Sequence, residues 1–483
     1  MVKTRDVLII GGGVTGTAIA RELSQYRCRV VLCEKEEELA FGVSKSNSGI
    51  IHPGTQNPPG SLKGRLCVEG NALTRVIARE LGVDFKQVGE LIVAFGQNDM
   101  LRLEQIRKDA EALGVKGLRM VDRTWLRAHE PNLNPDIPAA LYAPSAGIIS
   151  PYRWVYDLAQ NAMQNGVEIL TQTRVSGIAR TGDGHERPGF RVMTDTQEFA
   201  ARFVVNCAGL FADEVARMAG IVDLSIKPRK GEEFILDRKK EHLTNHLIFP
   251  LPTPTSKGVL MIKTSDGNPM IGPSAQDVDD KDDLSTTAEG LRKVLADARR
   301  LVPSVNERDI IAYFAGLRPA AGDDFIIRHE DAAPGMVTVA GIQSPGLTCA
   351  PAIARMVGGI LKERGLSLRR KMFFRRYRRE MNHLFSIPLP KAERLVRKDR
   401  AYGDIVCRCE MVSAKEVSDA IAQGATTMDG IKFRTRAQAG RCHGSFCTAR
   451  VMKMLAQETG KKVTEVTKRG KGSEIVLRDT ADD

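Results

Sequence analysis

The apolar positions of this chain fall into short unbroken blocks separated by helical stretches. Val7-Leu8-Ile9-Ile10 contains no polar residue, the pattern of a strand covered on both faces. The turn Gly11-Gly12-Gly13-Val14-Thr15-Gly16, a helical pattern through Ser24 and a strand from Cys28 to Glu34 complete a βαβ unit. From about Leu62 to Leu141, helical patterns (Arg65 to Leu81, Met100 to Leu113) flank a strand-like Glu90 to Phe95. A helix near Arg153 to Asn165, strands at Val167 to Leu170 and Gly189 to Thr194, and Phe203-Val204-Val205-Asn206-Cys207-Ala208-Gly209 return to the opening alternation. Residues 226–330 are short strand patterns and Pro/Gly turns with one helix from about Thr287 to Arg300, and residues 335–364 give a strand, a glycine turn and a helix.

This order predicts an α/β protein with a Rossmann-like nucleotide-binding domain in pieces at about 1–62, 142–225 and 331–365. An α+β substrate domain is interleaved at about 63–141 and 226–330. A basic linker, 366–401, then leads to a small cysteine domain at 402–460 and a tail, 461–483. At 483 residues the chain has room for about three domains.

Composition changes this picture little. Hydrophobic residues make 42% and charged residues 27%, which excludes a disordered or fibrous chain. No run approaches the roughly 18 apolar residues of a membrane span, and Met1 to Asp6 lead straight into the first strand, so a cytoplasmic protein is expected. The net charge of +12 is concentrated in residues 362–400, with 14 Lys plus Arg against 4 Asp plus Glu. The run Arg369-Arg370-Lys371-Met372-Phe373-Phe374-Arg375-Arg376-Tyr377-Arg378-Arg379 reads first as a linker packed on the nucleotide domain. A docking surface for a partner subunit comes second, and peripheral contact with anionic lipid at the inner face of the cell membrane third. Nucleic acid is not expected, because no recognition module accompanies the charge.

The chemistry starts at the first turn. Gly11, Gly13 and Gly16 form G-x-G-x-x-G between a buried strand and a helix, and Glu34 ends the next strand. Glycine lets the backbone approach a pyrophosphate, the helix N-terminus offers it N–H groups, and Glu34 can accept the ribose hydroxyls. The loop alone leaves FAD and NAD open. A substrate sheet and a late turn, Gly341-Ile342-Gln343-Ser344-Pro345-Gly346-Leu347-Thr348, whose helix N-terminus favours negative charge on a reduced flavin, suit a flavoprotein.

Cys407-Arg408-Cys409 and Cys442-His443-Gly444-Ser445-Phe446-Cys447 place two thiolate pairs a helix-length apart, enough for a [2Fe–2S] cluster or a zinc ion. A neighbouring flavin favours iron and sulfur, since zinc has no redox role. Arg408, Arg434 and Arg441 are expected to offset the cluster's charge. Cys28, Cys33, Cys67, Cys207 and Cys349 read as small buried side chains or reduced thiols.

The fingerprint, Asn47-Ser48-Gly49-Ile50-Ile51-His52, Leu62-Lys63, Gly316-Leu317-Arg318-Pro319 and the 341–348 turn together resemble the D-amino-acid-oxidase-like FAD family over roughly residues 1–365. Within it the chain is similar to glycerol-3-phosphate dehydrogenases and oxidases, with L-2-hydroxyglutarate dehydrogenases nearby. The cysteine domain resembles the bacterioferritin-associated-ferredoxin-like [2Fe–2S] domain of anaerobic glycerol-3-phosphate dehydrogenase large subunits.

The resemblance implies that Gly11, Gly13, Val14, Thr15, Gly16, Glu34 and Lys35 hold the adenosine and pyrophosphate of FAD. Asn47, Ser48, Gly49, Ala208, Gly209, Gly341, Gly346, Leu347 and Thr348 would line the flavin. His52 would take the proton of the substrate hydroxyl, Arg318 and Lys257 would clamp a small anionic substrate, and Ser344 would offer it a hydroxyl. Cys407, Cys409, Cys442 and Cys447 would bind the cluster. The implied reaction is oxidation of a secondary alcohol, foremost sn-glycerol 3-phosphate, with electrons leaving through the cluster to a partner flavoprotein or a quinone, in an oligomer. A 2-hydroxy acid dehydrogenase, an amino acid or amine dehydrogenase and an electron relay without its own substrate stand as alternatives.

Overall fold

The structure, a computed structural model, describes residues 3–181, 189–253, 257–378 and 381–478. Strand Lys3–Ile10 lies parallel between Glu198–Asn206 and Val30–Cys33, and Glu168–Leu170 extends the sheet beyond Val30–Cys33. The long strand Glu198–Asn206 is shared. Its first half pairs antiparallel with Gly189–Thr194, and its second half parallel with Met336–Ala340.

Successive side chains of a strand point to opposite faces, so an unbroken apolar run needs cover on both. Val7 and Ile9 enter one core, with Ile19 and Leu23 of helix Val14–Leu23, Trp154 of helix Pro151–Gln164 and Ile353 of helix Gly346–Glu363. Leu8 and Ile10 enter the other, with Val215 of helix Ala212–Met218 and Val192 of the antiparallel strand.

A second sheet has nine strands. Its longest pair, Lys227–Leu236 and Ile310–Ala320, runs antiparallel from Lys227 opposite Ala320 to Leu236 opposite Ile310. Helices Gln97–Ala112 and Ala288–Leu301 cover this sheet, the latter through Val294, Leu295, Ala298 and Leu301. Strand Glu90–Ala94 lies within it, beside Leu247–Phe249.

Two expected boundaries move. Helix Leu62–Leu81 was assigned to the substrate insertion, yet Leu66, Cys67, Ala78 and Leu81 pack in the nucleotide-binding core. It crosses helix Gly346–Glu363 so closely that a Cβ on Gly70 would lie 2.2 Å from the Thr348 carbonyl oxygen. Strand Ile326–His329 pairs with Met336–Ala340, so the nucleotide-binding body resumes near residue 326 and not at 331. In both cases amphipathic pattern shows that a face is buried but not against which neighbour.

The basic run lies along the nucleotide-binding body. The Arg27 and Lys371 N–H groups donate to the Arg369 and Gln25 carbonyls, at 2.8 and 2.9 Å. Asn165 donates to the Arg375 carbonyl at 3.0 Å, and Arg378 pairs with Asp157 at 2.8 Å. Met372, Phe373 and Tyr377 stay exposed, and Arg379 lies outside the described residues.

The C-terminal domain is a two-stranded hairpin, Ile405–Cys407 and Val412–Ser413, with helices Ala414–Ala422, Met428–Thr435 and Thr448–Thr459 around Val417, Ile431, Val451 and Leu455. It docks through buried charge. Arg434 pairs with Glu38 at 2.8 Å and lies 3.9 Å over the Tyr156 ring, while Arg436 bridges Asp266 and Glu410, each at 2.7 Å. This corrects the expectation for Arg434. It is a docking residue, and a pair so buried fixes orientation more than net stability. Among the described residues no helix is long and apolar enough to cross a membrane.

Candidate active site

A cavity of about 1130 Å³ opens between the two large sheets, lined at one end by Gly11, Gly13, Val14 and Thr15 and at the other by His52, Lys257, Arg318 and Ser344. At the first turn glycine is required twice. Gly11 has φ +109°, and a Cβ there would lie 2.4 Å from the Cys207 carbonyl oxygen. A Cβ on Gly16 would lie 2.0 Å from the Gly11 carbonyl oxygen, so Gly16 acts by letting the helix close on the loop. Helix Val14–Leu23 carries no acidic residue in its first turn and no side-chain cap on Gly13, leaving its positive end to a phosphate. Ser44 Oγ accepts the Val14 N–H at 2.9 Å.

Glu34 reaches the cavity with both oxygens engaged, accepting from the Gly12 N–H at 2.6 Å and the Glu36 N–H at 2.9 Å. Burial raises its pKa, and these two bonds oppose the rise. Each oxygen keeps a lone pair for a ribose hydroxyl. Lys35 lies 3.7 Å over the Phe211 ring. Asn47, Ser48, Ala208, Gly209, Gly346 and Leu347 also line the cavity. Gly49, Gly341 and Thr348 do not. A Cβ on Gly49 would meet the Ile149 carbonyl oxygen at 2.3 Å, Gly341 has φ +67°, and Thr348 Oγ1 accepts the His52 N–H at 2.9 Å. These three shape the wall from behind it.

His52 follows strand Ile50–Ile51 and is buried, its carbonyl accepting from Asn71 at 2.9 Å. Its Nε2 lies 3.4 Å from Ser344 Oγ, and its Nδ1 lies 3.9 Å from Glu90 Oε2. Burial, helped by the Lys257 charge, lowers its pKa to about 4 against the pull of Glu90. The ring is therefore neutral at physiological pH. The carboxylate beside Nδ1 favours the proton there, leaving Nε2 as an acceptor toward the cavity. Glu90 is fully buried. Its Oε1 accepts from the Thr55 hydroxyl at 2.5 Å, and among the described residues its Oε2 has no hydrogen-bond partner.

Arg318 projects from strand Ile310–Ala320 opposite Arg229. Its two terminal nitrogens donate weakly to the Ser274 carbonyl at 3.4 and 3.5 Å, which leaves most of the planar fork for a ligand. Beside it, burial raises the Glu233 pKa to about 7 in spite of the Arg318 charge. Burial lowers the pKa of both Arg318 and Lys257.

In the C-terminal domain the four sulfurs form two pairs. Cys409 and Cys442 are 3.5 Å apart, and Cys447 is pushed up to about 12 by burial and by the adjoining Cys407 thiol. At Cys442 burial acts upward, but Cys409 and the N–H groups of Gly444, Phe446 and Ser445 bring the thiol below its ordinary pKa. Backbone donors aimed at sulfur suit a cluster-bound thiolate. Two thiol pairs suit a [2Fe–2S] cluster, in which each iron takes two protein ligands.

Residues 6–359 match the family model described as FAD dependent oxidoreductase, and residues 405–457 match the BFD-like [2Fe-2S] binding domain. The chain belongs to the FAD-dependent oxidoreductase family. It is 40% identical to the glycerol 3-phosphate dehydrogenase of Caloramator mitchellensis over 478 residues, 98% of each chain. The human mitochondrial L-2-hydroxyglutarate dehydrogenase is 33% identical over 56% of this chain and 60% of its own. Dithionite-reduced L-alpha-glycerophosphate oxidase of Mycoplasma pneumoniae with FAD bound superposes with a TM-score of 0.74 and 33% identity, covering 79% of this chain and 100% of that one.

Several residues of this FAD-dependent site escaped the sequence reading. Glu90 opens a strand recognised only as apolar, where a lone carboxylate in a buried run was the available signal. Glu233 sat in a segment read only as short strands, and nothing local tied Ser44 to the helix at Val14. The chain binds FAD and carries a [2Fe–2S] domain, and the FAD cradle predicts a first result. Gly16→Val forces helix and turn apart, an overpacking cost of about 3 kcal/mol, so FAD binding should weaken about a hundredfold. The flavin-to-protein absorbance ratio after gel filtration checks it.

Proposed function

We propose that this chain oxidises the C2 hydroxyl of sn-glycerol 3-phosphate to dihydroxyacetone phosphate and delivers the electrons through its C-terminal domain to a separate acceptor. The observation that carries this reading is the pairing, in one cavity, of two half-buried cations, Arg318 and Lys257, with a neutral histidine. The full-length similarity to a glycerol 3-phosphate dehydrogenase supports the same substrate.

Arg318 offers its fork to two phosphate oxygens, and Lys257 adds a point charge whose protonation a bound anion restores. With the phosphate held there, the C2 hydroxyl reaches His52 Nε2, which accepts the hydroxyl proton while Glu90 stabilises the resulting imidazolium. Ser344 Oγ, beside the same nitrogen, orients the hydroxyl. Bound FAD supplies the acceptor for the hydrogen leaving C2 as hydride, and a [2Fe–2S] cluster supplies one-electron transfer onward. Cys407, Cys409, Cys442 and Cys447 are the cluster's ligands in this reading. Cys409 is exposed and Phe446 is 88% exposed beside them, which supports an acceptor reached at the surface, a partner flavoprotein or a quinone.

The test is anaerobic titration of the FAD-loaded protein. Oxidised-flavin absorbance should bleach with sn-glycerol 3-phosphate at concentrations where glycerol, L-2-hydroxyglutarate and glycine leave it unchanged. Arg318 would hold a carboxylate equally well, so bleaching by L-2-hydroxyglutarate alone would replace this reading with 2-hydroxy acid oxidation. Bleaching by an amino acid with release of ammonia would replace it with amine chemistry.

A further inference from the structure

The segment Thr467-Lys468-Arg469-Gly470-Lys471-Gly472-Ser473-Glu474 has three cations, two glycines and no apolar residue, the composition of a solvated tail. It is nevertheless folded into a closed turn. Thr467 bridges Glu474, the Lys468 N–H donates to the Ser473 carbonyl at 2.8 Å, and Ser473 Oγ accepts the Arg469 N–H at 2.9 Å. Gly470 at φ +119° and Gly472 at φ +84° supply the backbone that such a turn demands. One side hangs on helix Met428–Thr435. The Met428 and Asp429 N–H groups donate to the Thr467 and Lys468 carbonyls at 3.1 and 2.8 Å, and Lys468 pairs with Asp429 at 3.0 Å.

The other side meets the loop that follows Glu34, where a Cβ on Gly470 would come within 3.4 Å of the Glu37 carboxylate. Arg469, Lys471, Gly472 and Ser473 thereby wall the same cavity as the Gly11–Thr15 turn and Glu34. Among the described residues neither Arg469 nor Lys471 is in an ion pair. Lys45 is also on this wall. Burial lowers its pKa, Asp429 and Glu36 pull it back up, and Arg469 and Lys468 lower it further. Glu34, Glu36 and Glu37 lie near this wall, but among the described residues none of them is ion-paired with Arg469 or Lys471, so these two exposed cations are available to an anion in the cavity.

We propose that the 467–474 turn is the cap on the adenosine-diphosphate half of bound FAD, with Arg469 and Lys471 as FAD-retaining residues supplied by the iron–sulfur domain. FAD release then requires the turn to lift from the Glu34–Glu37 loop. Retention of the flavin depends on a turn, hung on the iron–sulfur domain, that lies more than 400 residues from the glycine fingerprint in the sequence. This holds whichever alcohol the chain oxidises.

The experiment follows FAD release from the full-length, cluster-loaded protein by the recovery of flavin fluorescence after dilution, at low and high ionic strength. Wild-type release should quicken severalfold with salt, because exposed cations at the mouth are screened. R469Q/K471Q should release FAD about tenfold faster at low salt, with a flattened salt response, and R469E/K471E faster still. Iron content per chain reports that the domain remains folded. A wild-type rate indifferent to salt, or release from R469Q/K471Q within twofold of wild type, would overturn the proposal. The first of these needs no variant.

Discussion

His52→Ala is expected to lower kcat by about 10²–10⁴-fold while changing KM little, the range for loss of a positioned general base. The side chain touches the reacting hydroxyl in the proposed reaction and not the anion, so its loss falls on the chemical step. The same residue has a distinctive pH signature. With its pKa held near 4 by burial, His52 is neutral above about pH 5, and protonation disables it only below that. The acid limb of kcat/KM that His52→Ala removes should therefore lie near pH 4, not near the ordinary histidine value of about 6.5. Glu90 raises this pKa, so Glu90→Gln should move the limb to still lower pH and reduce kcat, because a weaker base draws the proton less. Stopped-flow reduction of the flavin across pH 3.5–8 measures both. A limb near 6.5 in the wild type would mean that another group is the base.

Arg318→Ala should fall mainly on kcat/KM, by about 10²–10³-fold, since truncating one partner of a desolvated charge pair costs roughly 2–5 kcal/mol. Lysine should recover only part of this, because a point charge lacks the two parallel donors. The neighbouring Glu233 sharpens the prediction. Its carboxyl, held near 7 by burial, is largely neutral in mild acid and becomes a negative charge beside the phosphate site as pH rises. KM for an anionic substrate should accordingly climb above pH 7. Glu233→Gln should abolish that climb while leaving the substrate's own ionisation, near pH 6 for a phosphate monoester, in place. Steady-state KM from pH 6 to 9 for the two proteins decides it. A KM that rises equally in both would remove Glu233 from the account.

Both effects depend on pairs that no local pattern announces. His52 was recognisable from its place after Asn47-Ser48-Gly49, a motif within one stretch of chain. Its carboxylate partner lies 38 residues away in the nine-stranded sheet, brought near where strand Glu90–Ala94 pairs with Leu247–Phe249. Arg318 was singled out for its fork, but Glu233 meets it only through the antiparallel register of Lys227–Leu236 with Ile310–Ala320. Helix Leu62–Leu81 was placed in the wrong body for the same reason. Its buried stripe was legible, whereas the helix it crosses begins some 280 residues later.

What the sequence determined by itself is everything written in short range. Unbroken apolar blocks define strands with two covered faces, glycines at fixed spacing define a turn that admits a pyrophosphate, and paired cysteines define a small redox domain. Tertiary structure alone decided the electrostatics: that His52 is neutral, that Arg434 pairs with Glu38 across the domains, and that cations of a polar tail line the same cavity as the glycine turn. Burial and partner charge set those properties. Both depend on which distant segments the fold packs together, which periodicity does not encode.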